Sequence, residues 1–100
     1  MEINKRIKEN DIPKVIDILK NNNYKKAKIE FSGFIKQKNI IKNPIIKFNN
    51  RKREIVVKTA EKIENEIKIS LSFVEEIYFK QKNKLKFLTE NDLEILIVFF

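Results

Sequence analysis

Cysteine, histidine and tryptophan are absent from this chain, glycine occurs once and proline twice, and only 3 of its 22 basic residues are arginine. Without cysteine there is no disulfide staple and no thiolate nucleophile, a usage that fits a reducing cytosol. Without histidine the usual general base and the commonest zinc ligand are missing, so no metal site is expected. One glycine excludes the glycine-rich phosphate cradles of Walker or dinucleotide type. Ser32, Ser70 and Ser72 have no histidine to activate them. No apolar run approaches the roughly 20 residues of a membrane-spanning helix. Met1-Glu2-Ile3-Asn4-Lys5-Arg6 is not followed by an apolar stretch, so no signal peptide is expected. These absences describe a cytoplasmic, non-enzymatic chain with no cofactor.

Carboxylate chemistry is what remains. Glu66-Ile67-Lys68 has, by analogy, the acid-x-lysine spacing of a magnesium-dependent nuclease strand, with Glu54 or Glu64 as a second carboxylate. In a chain so rich in Glu and Lys the spacing arises by chance, and a solvated strand face accounts for it. Glu75 and Glu76 point to opposite faces of an extended segment and form no acid/base pair.

What is present is a folding pattern. One hundred residues, 42% of them apolar, are enough for one domain over residues 1–100, with 1–10 as a flexible arm anchored by Ile3 and Ile7. Asp11 is placed to cap a helix with Pro13 in its first turn, and Ile12, Val15, Ile16 and Leu19 make one helical face ending at Asn21-Asn22-Asn23. The period then drops to two. Ala27, Ile29, Phe31, Gly33 and Ile35 alternate with Lys28, Glu30, Ser32, Phe34 and Lys36, the single glycine suggesting a bulge or bend. Residues 40–48 form an edge strand or two short pieces divided at Pro44, and Asn49-Asn50 turn into a strand over 54–59. Residues 59–66 fit a helical turn or a long loop. Ile67, Ile69, Leu71 and Phe73 give the clearest strand, continued by Ile77 and Phe79 to a turn near 81–84, with Leu85 and Phe87 returning.

The run Leu93-Glu94-Ile95-Leu96-Ile97-Val98-Phe99-Phe100 is the most apolar in the chain and would aggregate if exposed, which predicts a central buried strand. A rival reading takes Thr89 and Asp92 as a capping box for a short helix. The sum is an α+β fold: an N-terminal helix followed by an antiparallel meander of five or six strands, as a small barrel or a curled sheet.

The formal charge of +8 points to an anionic partner. Lysine (19), isoleucine (18) and asparagine (12) are residues of A/T-rich codons, so base composition explains part of the lysine. Two features stand out nonetheless. From Phe31 to Arg53 there is no acid, while Lys36, Lys38, Lys42, Lys47, Arg51, Lys52 and Arg53 are all basic. Lys80, Lys82, Lys84 and Lys86 recur at spacing two beside Tyr78, either in one row or, split by a turn, on two facing arms. With Phe34 and Tyr78 as stacking rings, these residues predict a face for nucleic acid, single-stranded or RNA rather than duplex. The plainer alternative is that the rings cap the core and the lysines keep edge strands soluble.

Two functions fit: a non-catalytic nucleic-acid-binding module, or a small inhibitor or accessory factor of bacterial or phage type. The latter would dock on an acidic surface of a larger partner such as a nucleic-acid-processing complex. Apolar edges at Ile40-Ile41 and Ile45-Ile46 also allow a homodimer.

Overall fold

The computed structural model describes residues 4–33, 36–60 and 66–100. Strand β1 (Asn4–Ile7) and a 3-10 turn (Glu9–Asp11) lead into helix α1 (Ile12–Lys20), followed by β2 (Lys26–Ser32), β3 (Gln37–Lys42), β4 (Pro44–Asn49) and β5 (Glu54–Thr59). Next come β6 (Glu66–Ser70), a second 3-10 turn (Leu71–Phe73), β7 (Val74–Lys80), β8 (Lys84–Thr89) and β9 (Glu94–Phe99). Strands β1-β7-β8-β9-β2-β3 form a six-stranded sheet and β4-β5-β6 a three-stranded one. Every pairing is antiparallel. The α+β class, the leading helix and the meander are as the periodicity predicts.

The most apolar stretch is indeed interior: β9 is bonded to β8 on one side and to β2 on the other. Its inward residues Ile95, Ile97 and Phe99 are buried. The Phe100 carbonyl accepts from the amides of Lys25 and Lys26 at 3.0 and 2.8 Å, and Asn83 Nδ2 donates to the Phe99 carbonyl at 3.0 Å. The capping-box signal before β9 belongs to a turn, not to a helix. Thr89 Oγ1 donates to the Leu93 carbonyl (3.0 Å) and accepts from the Leu93 amide (3.2 Å), while Asp92 takes φ 58°.

Among the described residues nine strands replace the five or six expected, for local reasons. The run 40–48 breaks at Asn43 (φ 47°), whose amide donates to the Lys25 carbonyl while its own carbonyl accepts from the Ala60 amide. The chain passes there from the large sheet to the small one. The strand expected over 67–73 stops at Ser70, whose Oγ accepts from the Ser72 amide and closes a 3-10 turn. That turn buries Leu71 but leaves Phe73 55% exposed. Alternating sequence cannot register such a side-chain capture of the backbone. The ninth strand is β1, paired to β7 with Ile7 buried, while Ile3 lies outside the described residues.

Other local expectations shift in detail. Asp11 is itself helical, and its carboxylate accepts from the Lys8 amide (3.0 Å) instead of capping α1. Gly33 lies just past β2 with no positive φ. The chain bends there, as expected, and a Cβ would stand 3.3 Å from Leu93 Cδ1, a tight approach. Of the apolar edges expected, Ile41 and Ile46 are buried and only Ile40 is strongly exposed.

Both sheets and α1 contribute to a single core, with Ile12, Val15, Ile16 and Leu19 as the helix's share. No described polar side chain is buried, and no described helix is long and apolar enough to cross a membrane. Ile97, fully buried at the centre of β9, is the sharpest probe of this arrangement. Ile97→Ala is expected to cost about 2–5 kcal/mol, read from the urea midpoint. A midpoint unchanged from the parent protein would mean that β9 is not central to the core.

Candidate nucleic-acid interface

On the face of the six-stranded sheet turned away from the core, every described side chain is exposed or half-buried and none is buried. Strand alternation decides what it carries. Inward positions hold Ile7, Ile77, Phe79, Leu85, Phe87, Ile95, Ile97, Phe99, Ala27, Ile29 and Ile41, so their neighbours in sequence point outward. The register then assembles rows across the strands. Tyr78 is opposite Arg6 and Lys86, Lys86 is opposite Leu96, and Leu96 is opposite Glu30, which faces Lys38. In the next row Lys80 is opposite Lys84, then come Val98, Lys28 and Ile40. Lys26 and Lys42 stand opposite each other beyond that.

The three acids on this face are each engaged. Glu76 pairs with Arg6 at 3.3 Å and accepts from the Tyr78 hydroxyl at 3.2 Å. Glu30 pairs with Lys28 at 3.1 Å and Glu94 with Lys86 at 3.2 Å. Among the described residues, no carboxylate is within ion-pair distance of Lys26, Lys42, Lys80 or Lys84. Like charges directly opposite across strands are unfavourable, and here two such pairs lie on one open sheet. Lys28, Lys80, Lys84 and Lys86 are half-buried, their stems lying beside the half-buried Leu88, Leu96 and Val98.

The residues singled out from sequence divide into two groups. Lys38, Lys42, Tyr78 and Lys80 share the open face, with Lys82 in the β7–β8 turn beside it. That turn splits the lysine series into two facing arms. The acid-free stretch does not act as one surface, because the chain changes sheets at Asn43. Lys36 is exposed ahead of β3, Lys47 is on β4 of the small sheet, and Arg51 and Lys52 are in the β4–β5 turn. Arg53 is committed to Glu9: its Nε donates at 3.1 and 3.2 Å to the two carboxylate oxygens and its NH2 donates at 3.0 Å. That hydrogen bond, and then the charge of Glu9, raise the guanidinium pKa above its ordinary value. Phe34 and Glu64 lie outside the described residues.

Sequence reasoning did not single out Arg6, Lys26 and Lys28. They reach the face through strand pairings distant in sequence, and nothing in their local pattern marks them. Glu66 and Lys68 form an exposed pair at 3.7 Å, and no cluster of three or more potential metal ligands occurs among the described residues. Comparison with protein-family models, with curated protein sequences and with solved structures finds no match.

The β7–β8 turn is itself strained. Gln81 and Lys82, in the three-residue turn between Lys80 and Lys84, take φ 53° and 62°, and neither is the Asn or Gly that adopts this conformation freely. Lys82→Gly is expected to raise stability by about 1 kcal/mol, a melting shift of roughly 4–8 °C for a domain this size. Differential scanning calorimetry measures it, and a lower Tm would show that the turn is not strained at this position.

Proposed function

We propose that this protein is a non-catalytic nucleic-acid-binding module that lays a single strand across the open face of its six-stranded sheet. The observation that carries this reading is the placement of Lys80 against Lys84 and of Lys26 against Lys42, with no described acid to neutralise them. A fold tolerates such repulsion at small cost when water screens it, and a phosphate backbone converts it into binding through released counterions. Tyr78 supports the single-stranded form, since its ring stands among Arg6, Lys80 and Lys86 on that open face, where a base can stack. An open sheet face offers no protruding helix to enter a duplex groove.

The scarcity of arginine fits binding without strong sequence preference, because bidentate guanine contacts are the work of arginine. Lysine instead supplies point charges along a backbone. Proteins that hold single strands in this way depend on salt and tolerate many sequences.

Fluorescence anisotropy with labelled single- and double-stranded DNA and RNA, titrated in salt, tests the proposal. Single strands are expected to bind more tightly than duplexes, with log affinity falling linearly in log salt. Lys80→Glu with Lys84→Glu is expected to reduce the magnitude of that slope by about 1.4, the value for two phosphates on a single strand, while the thermal melt is retained. Tyr78→Ala is expected to lose about 1–3 kcal/mol of binding. Unchanged affinity in the lysine variant rejects this face. No binding at low salt moves the assignment to an acidic protein surface as the partner.

A further inference from the structure

A second surface feature lies on the other side of the large sheet, at the seam between α1 and strands β1 and β7. The helix sits beside β4 on one flank, and its other flank borders a groove of about 550 Å³. Val15, Ile18 and Phe79 line it, together with three cations from three separate segments: Lys5 on β1, Lys14 on α1 and Lys82 in the β7–β8 turn. Ile18 is 40% exposed, unusual for the side chain of an amphipathic helix that otherwise buries its apolar face.

The charge around the groove is one-sided. None of Lys5, Lys14 and Lys82 is ion-paired with a described residue. The single lining acid, Asp11, turns its carboxylate back onto the Lys8 amide. An apolar floor under three unpaired ammonium groups has the two recognition elements of one ligand class. The volume is in the range of small-molecule sites, which are largely apolar with a few placed polar groups.

We infer that this groove binds an amphipathic monoanion, specifically an alkyl chain ending in a carboxylate. The chain lies on Val15, Ile18 and Phe79, and the carboxylate sits among the three lysines. Burial of the chain supplies affinity and the lysines supply selection for a negative head. The site is separate from the open sheet face, and Lys5 and Lys14 play no part in the nucleic-acid reading.

Methyl and aromatic NMR titrations of the intact protein with hexanoate, octanoate and decanoate test this, following Val15, Ile18 and Phe79. Shifts are expected at these residues, with affinity rising about two- to fourfold per added methylene. Octanol is expected to bind at least about tenfold more weakly than octanoate, and octyltrimethylammonium more weakly still. Lys5→Glu with Lys14→Glu is expected to remove the preference for octanoate over octanol while the wild-type spectrum elsewhere is kept. No shift at these residues up to about 10 mM decanoate, a limit weaker than the millimolar affinities of the poorest specific ligands, overturns the proposal. So does equal binding of octanol and octanoate to the unmodified protein.

Discussion

Everything in this fold leans on the two-sided pairing of β9. A strand of Ile, Leu, Val and Phe presents unpaired backbone groups on both edges, and each edge is a template for another chain until it is filled. Here β8 fills one edge through a short turn, and β2 fills the other from nearly seventy residues earlier. That second contact is non-local. It also sets β3 into the same sheet, and Asn43 then joins that sheet to the three-stranded one, the two sharing a single core. The helix closes the remaining part of the core with Ile12, Val15, Ile16 and Leu19.

Once β9 is central, the chemistry of the opposite face follows from alternation. Residues that neighbour the core residues in sequence must point away from it, and in this chain lysine is the commonest of those neighbours. Ion pairs with Glu30, Glu76 and Glu94 neutralise part of the charge. The remainder stands in opposed pairs. Lysines on an edge strand also oppose sheet-to-sheet association: antiparallel pairing of β3 with a second copy about Ile40 would set Lys38 against Lys42. The same charges that suit a phosphate backbone therefore disfavour growth of the sheet.

Glycine scarcity leaves its mark on the connections. Among the described residues six non-glycine positions take positive φ, and Asn23, Asn43 and Asp92 do so at modest cost because short polar side chains tolerate this region. Arg53, Gln81 and Lys82 do not have that excuse. Arg53 is held by its forked contact with Glu9, which ties the β4–β5 turn to the segment before α1. Gln81 and Lys82 take left-handed backbone in the three-residue turn between Lys80 and Lys84, and the flanking strand register fixes them there.

Local elements with a periodic signal were legible in the chain: the helix from Ile12, the strand over Glu54–Thr59 and the buried last strand. Each depends on side chains within a few residues of one another, so spacing alone carries the information. Sequence also placed Tyr78, Lys80, Lys84 and Lys86 on one face, because a hairpin preserves alternation across its turn. Only the tertiary structure decided that the acid-free stretch from Phe31 to Arg53 is shared between two sheets. It alone added Arg6, Lys26 and Lys28 to the open face, and it alone placed Arg53 on Glu9. These outcomes depend on which strand pairs with which and on where a serine or asparagine side chain interrupts a ladder, and such long-range contacts leave no period in the chain.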